Sequence, residues 1–217
     1  MPMKNDREYR DMRLDIARAD NDEAPAEERK IVNGYASTFN EPYVLYEDDD
    51  LVYREQVDPA AFDETDMSDV IMQYNHEGRV FARITNNTLT VTPDERGLFI
   101  EADLGGTELG RQLYEEIAGG YTDKMSFGFI VDKDEVTRSE SSDGRIDMLR
   151  TITGISKLFD VSAVSIPAND ATSISVRNLT DGVIEQIQAE RLEAERIETE
   201  RRRAIVKARA IMSGGNK

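Results

Sequence analysis

Apolar and polar residues alternate over much of the first 170 positions, with the two-residue period of half-buried strands. Met12, Leu14 and Ile16 alternate with charged residues. After an acidic, proline-containing connection, Ile31-Val32-Asn33-Gly34-Tyr35-Ala36 again reads as a strand, so the start of the chain predicts a long hairpin or meander. Asp58-Pro59-Ala60-Ala61-Phe62 sets a capping acid before a proline at the first helical position. This predicts a short helix ahead of a strand over 70–74. Residues 80–84, 88–92 and 97–102 predict three more strands, the last two joined by the turn Pro93-Asp94-Glu95-Arg96-Gly97.

The period then changes. Leu109, Leu113 and Ile117 recur at four-residue intervals between a capping Thr107 and the stop Gly119-Gly120, which predicts a helix. It leads into a strand over 125–131 and then a polar stretch over 137–144, whose Ser, Asp and Gly content predicts an exposed, mobile connection. Strands resume over 146–152 and 159–166. From 181 to 212 the chain turns to Glu, Arg, Ala and Ile, with Ile184, Ile187, Ala194, Ile197, Ala204, Ile205 and Ala208 on an imperfect apolar stripe. The pattern is that of an α+β, β-rich domain over 1–178, followed over 179–217 by a long charged amphipathic helix and a flexible tail.

Composition narrows the function. With 44 acidic against 27 basic residues the net charge is −17, which repels phosphate backbones and anionic lipid, so nucleic acid and membrane are not expected partners. No apolar run approaches the roughly 20 residues needed to cross a bilayer, and MPMKNDREYR lacks a signal-peptide core, which predicts a soluble intracellular protein. The C-terminal segment is near charge balance, with seven acids from Asp181 to Glu200 against eight bases from Arg191 to Lys217. The negative charge therefore belongs to the β-rich part. Cysteine is absent, which removes disulfides, thiolate catalysis and Cys-ligated zinc, and no cofactor is implied. A metal-dependent hydrolase would have to rest on His76 with Glu77, Asp160 or other acids.

The chain has a single histidine, His76, in Tyr74-Asn75-His76-Glu77-Gly78, just past a predicted strand end. Any imidazole chemistry passes through it. Ser126, in Lys124-Met125-Ser126-Phe127-Gly128-Phe129, sets a hydroxyl where a buried strand would carry an apolar residue. A serine attacks a carbonyl only when a neighbouring imidazole takes its proton, and the imidazole needs a third group to hold its tautomer. Asp160 is a candidate: period two places it with Ser162, Val164 and Ile166 on one face of its strand, where a carboxylate wants a partner. Plainer readings stand beside these: a surface histidine, a small residue permitting close packing, and a solvated acid at a strand edge. Glu77 is a rival orienter, although neighbours on a strand point to opposite faces.

Four strings, Gly34-Tyr35-Ala36-Ser37, Asn75-His76-Glu77, Met125-Ser126-Phe127-Gly128-Phe129 and Asp160-Val161-Ser162-Ala163-Val164-Ser165-Ile166-Pro167-Ala168-Asn169, occur in order. Over roughly residues 10 to 178 the chain resembles the prohead (capsid maturation) serine proteases of tailed bacteriophages. That family is similar in fold to the herpesvirus protease assemblin, so the resemblance implies a β-barrel core with surrounding helices. It also implies a serine endopeptidase with His76 as base, Ser126 as nucleophile and Asp160 in third place. Assemblin has a second histidine there, and a chain with one histidine cannot. The implied substrates are scaffold, or the scaffolding segment of the major capsid protein, and the protease itself. The implied setting is the prohead interior in the host cytoplasm, near the portal, with self-association of the protease. The C-terminal helix would dock among scaffolding segments, dimerise or be trimmed off. Assemblin's oxyanion arginine has no counterpart at Pro167-Ala168-Asn169, and the backbone near Asn169 or the side chain of Arg177 stand as candidates. A catalytically silent capsid scaffold or assembly protein is the alternative.

Overall fold

A computed structural model of the chain describes residues 7–13, 17–18, 29–142, 144–165 and 174–214. Contacts divide the chain into two units, one from Pro2 to Arg177 and one from Asn178 to Lys217. The first holds β1 (Glu8–Arg13), β2 (Ala17–Arg18), β3 (Ile31–Thr38), β4 (Tyr43–Glu47), β5 (Leu51–Val57), β6 (Ile71–Tyr74), β7 (Glu77–Arg83), β8 (Leu89–Pro93), β9 (Gly97–Asp103), helix α1 (Glu108–Ala118), β10 (Lys124–Glu140) and β11 (Ile146–Val164). Helix α2 (Ile174–Gly214) runs into the second unit.

β11 organises the larger, seven-stranded sheet. Along one edge it pairs antiparallel with β10, whose far edge carries β1. Along the other edge, Ile146–Ile152 pair in parallel with β5 and Asp160–Ala163 pair in parallel with β6, which turns back into β7. One 19-residue strand thus serves two shorter strands in succession. The four-stranded sheet runs β2-β3-β9-β8, all antiparallel. Both sheets feed one apolar core that includes Val32, Ala36, Leu98, Ile100, Phe127, Phe129, Val161 and Ala163. Each such large side chain stabilises the fold by about 1.5–3 kcal/mol when fully buried.

The expected β-rich α+β class is present, with mixed pairing and a C-terminal helix; no closed barrel is found among the described residues. Asp58 caps the short helix Pro59–Phe62 by accepting from the Ala60 N–H at 2.8 Å, and Thr107 caps α1 by accepting from the Gly110 N–H at 2.9 Å. Four expectations need correction. Only the second half of the polar stretch over 137–144 is a connection: Thr137–Glu140 continue β10, paired with Ile146–Leu149, and the turn follows, where the Gly144 N–H donates to the Ser141 carbonyl at 2.9 Å. The side chains of Thr137–Glu140 are exposed, so nothing in a ladder of backbone hydrogen bonds demands apolar residues there. The strands expected over 146–152 and 159–166 are joined in the single strand β11, which ends at Val164, with its irregularities absorbed as bulges, and Ile166 lies outside the described residues. The opening is not a single hairpin, since β1 pairs with β10 whereas β2 pairs with β3 in the other sheet. α2 begins at Ile174, ahead of the composition change at Asp181.

β4 and β5 carried no clear signal, because the inward set of β5 is Leu51, Tyr53, Glu55 and Val57, with a fully buried carboxylate among apolar residues. Glu55 accepts from Arg10 Nε and from Arg10 Nη2 at 2.9 Å, from Arg150 Nη1 at 2.8 Å and from the Tyr43 hydroxyl at 2.5 Å. Burial pushes its carboxyl up, but the two arginines and Tyr43 outweigh that and hold it below the usual range. Arg150 also donates to Glu8 at 2.9 Å and to Asp134 at 2.5 Å, so the network ties β1, β4, β5, β10 and β11 together. Glu55→Gln leaves two buried guanidiniums short of charge. It is expected to cost about 3–5 kcal/mol, read as a lower urea midpoint with an unchanged slope.

Candidate active site

Ser126 lies in β10 between β1 and β11, opposite Asp11 on one side and Ser162 on the other. Period two along β10 sends Met125, Phe127 and Phe129 into the apolar core and turns Ser126 and Gly128 to the opposite face. Asp160 and Ser162 are their cross-strand partners on β11. Between Asp160 and Leu158 the register slips: Gly128 opposes Asp160 and Phe129 opposes Leu158, leaving Phe159 as the extra residue of a bulge. The slip lets Leu158 and Asp160 both be buried, and it aims the carboxylate at the serine's face.

His76 reaches the same face from the turn between β6 and β7. Tyr74 pairs with Glu77, so the loop is just Asn75-His76, with φ of 51° and 59°. Both residues sit in the left-handed region that two-residue hairpin loops of the primed types use. Asn tolerates this conformation and His does so more often than most residues, but for His76 it is still strained. The turn is held by the end of β11. The Asn75 N–H donates to the Ala163 carbonyl at 2.9 Å, and the Ser165 N–H donates to Asn75 Oδ1 at 3.0 Å. The Tyr9 ring of β1 meets the imidazole edge-on, with centroids 4.3 Å apart.

The three candidates therefore meet, although 50 residues separate His76 from Ser126 and 84 separate it from Asp160. His76 Nε2 lies 2.6 Å from Ser126 Oγ, and His76 Nδ1 lies 2.6 Å from Asp160 Oδ1. Asp160 is completely buried; the Ser162 hydroxyl also donates to its Oδ1 at 2.7 Å, and Arg7 Nη2 donates to its Oδ2. Burial pushes the imidazole down to about 4, and the Arg7 cation acts in the same direction. His76 is accordingly neutral near pH 7. A carboxylate only accepts, so the single ring proton belongs on Nδ1, and the Nε2 lone pair faces the serine hydroxyl. That arrangement can take a proton from Ser126 as its oxygen attacks.

Glu77, the rival orienter, opens β7 with an exposed side chain. Asn169 and the side chain of Arg177 lie outside the described residues. Among the described residues no group of three His, Cys, Asp or Glu is arranged to hold a metal ion, and no helix is long and apolar enough to cross a membrane. The contributions of Asn75, Tyr9 and Arg7 escaped the sequence reading, and Ser162 was placed only on the face of Asp160. Ser162, two positions from Asp160, was legible as a residue on the same face, whereas Arg7 and Tyr9 have no local signal.

A family model described as caudovirus prohead serine protease matches residues 15–185, a segment that includes His76, Ser126 and Asp160 and begins after β1. The chain is 28% identical over 154 residues to the prohead protease of Enterobacteria phage HK97, covering 70% of this chain and 62% of that protein. It thus spans less than two thirds of the length of that relative. No solved structure matches. Because the family match takes in most of the 217 residues, the chain belongs to the caudovirus prohead serine protease family.

Proposed function

We propose that the chain is a serine endopeptidase of capsid maturation, with Ser126 as nucleophile, His76 as general base and then acid, and Asp160 as the group that orients the ring. The observation that carries this reading is the unbroken chain from Ser126 Oγ through both imidazole nitrogens to Asp160, within the segment that matches the family. Ser126 Oγ bonds to the scissile carbonyl carbon as its proton passes to Nε2. The tetrahedral intermediate collapses, the C–N bond breaks, and Nε2 returns the proton to the leaving amine. Water then repeats the sequence on the acyl-enzyme and frees the serine. Asp160 keeps the proton on Nδ1 and stabilises the imidazolium formed in each half. Ser126 has no solvent exposure in this conformation, so a covering group must move before a peptide reaches it.

The substrates on this reading are scaffold or the scaffolding segment of the major capsid protein, and the protease itself, inside the prohead near the portal. Residues 1–178 carry the chemistry, and 179–217 serve docking to scaffold helices or self-association. α2 supports such a role: Leu192, Ile197 and Ile205 are exposed on it, while Arg196–Glu193 and Arg202–Glu198 pair along its surface at 2.7 and 2.5 Å.

The test uses an organophosphorus reagent such as diisopropyl fluorophosphate, which reacts with a serine only when that serine is activated. Mass analysis is expected to place one phosphoryl group on the peptide containing Ser126. The labelling rate is expected to fall with acid around pH 4, not around 6.5, because only neutral His76 can take the proton. The same depression has a consequence for stability. Between about pH 6.5 and 4 the unfolded chain binds a proton that the folded chain excludes, so stability declines as pH falls through that window. An unlabelled Ser126 would leave the silent assembly protein as the better reading.

A further inference from the structure

Asp160 has a second partner that the triad does not require. The Arg7 guanidinium lies 4.5 Å from the centroid of the Phe159 ring and 5.1 Å from that of Tyr9, with Nη2 on Asp160 Oδ2. Its seat is built into the sheet at Gly128. A Cβ there would come within 2.5 Å of Asp160 Oδ2 and 2.9 Å of Arg7 Nε and Nη2, so only glycine leaves room for the pair. Phe159, on the other flank, is the residue extruded by the bulge.

Arg7 is brought to this seat by β1, which is itself held by charge. Arg10 donates to buried Glu55 and Glu8 accepts from Arg150, while Glu8 pairs in register with Phe129 and Tyr9 with Gly128. β1 thus delivers two side chains to the site, Tyr9 against the imidazole and Arg7 against the carboxylate. Both precede the segment that matches the family.

We propose that Arg7 is a positioning residue of the proposed protease, fixing Asp160 so that its other oxygen stays on His76 Nδ1 and making the docking of β1 a condition of activity. This rests on the serine protease reading above. The two oxygens have separate tasks: Oδ2 faces Arg7, and Oδ1 faces His76 and Ser162. Fixed at both ends, the carboxylate cannot rotate away from the ring. Among the described residues, the charged or titratable groups facing His76 are Asp160 from β11, Tyr9 from β1 and Arg7 just before it. Asp160 favours the imidazolium and Arg7 opposes it, so removing the cation shifts the balance toward the protonated ring.

The single histidine makes the test direct, because every imidazole resonance in the NMR spectrum of this chain is His76. Arg7→Gln removes the cation at nearly constant size, and Arg7→Lys keeps the charge without the planar fork. In Arg7→Gln the imidazole is expected to titrate at higher pH than in the wild type, and phosphorylation of Ser126 to slow on the order of 100-fold as the carboxylate loosens. Arg7→Lys is expected to keep the wild-type titration and recover part of the rate. An unchanged titration together with an unchanged labelling rate in Arg7→Gln would overturn the proposal and leave Ser126, His76 and Asp160 intact. A wild type whose imidazole responds to Arg7→Gln while Ser126 stays unlabelled would instead overturn the protease reading, and the positioning role with it.

Discussion

Ser126→Ala is expected to abolish cleavage of the proposed capsid or scaffold substrate, with a loss in kcat on the order of a million-fold. The size follows from the geometry. Ser126 Oγ is the hydroxyl 2.6 Å from His76 Nε2, and no second hydroxyl of the described site touches that nitrogen. Ser162, the other buried serine of this face, is engaged with Asp160 at 2.7 Å. The change should be nearly silent for the fold, because alanine fills the site less one oxygen and the lost contact is one hydrogen bond, about 1 kcal/mol. A loss of activity without a comparable loss of stability is therefore the signature. The measurement is co-expression of wild type and variant with the phage's own capsid protein and scaffold, followed by mass analysis of the fragments and a thermal unfolding curve. Equal fragment yields from both would sink the assignment of Ser126.

Asp160→Asn should lower kcat by roughly 10,000-fold. The carboxylate that only accepts is replaced by an amide that also donates, so the amide can present N–H to Nδ1 and stabilise the tautomer with the proton on Nε2, facing the wrong way for a base. Two further contacts change: Ser162 loses a charged acceptor, and Arg7 faces a neutral group. KM should move far less than kcat, since both Asp160 oxygens are engaged, Oδ1 by His76 and Ser162 and Oδ2 by Arg7, and Asp160 acts through the imidazole. Kinetics on a cleaved peptide test the split, and the nitrogen resonances of the one imidazole report the tautomer independently of activity. Full activity in this variant would move the orienting role to Glu77 or another acid.

How much of this was legible in the sequence varies with the range of the interaction concerned. The caps at Asp58 and Thr107, the helix between Thr107 and Gly119, and the turn at Pro93–Gly97 rest on contacts a few residues apart, so local pattern sufficed. β5 was not legible, because Glu55 breaks its apolar face and is tolerated only through Arg10, 45 residues away, and Arg150, 95 residues away. The polar half of β10 misled for the opposite reason: its partner strand supplies the hydrogen bonds, and its exposed side chains carry no apolar signal.

The site divides in the same way. From composition alone it follows that this chain can supply an imidazole only through His76 and that a second histidine cannot stand in third place; an acid there was what the family resemblance implied. The first two are facts of composition, and no folding can change them. That His76, Ser126 and Asp160 share one face is a matter of tertiary structure, because it depends on a left-handed turn pinned to β11 and on a bulge that aims Asp160 at the face of Ser126. Tertiary structure alone placed Arg7 on Asp160, across 153 residues of chain, through a β1–β10 register held by buried charge. Chemistry resides in residue types, which a sequence states outright; proximity between distant residues follows from strand register and packing, which local patterns do not encode.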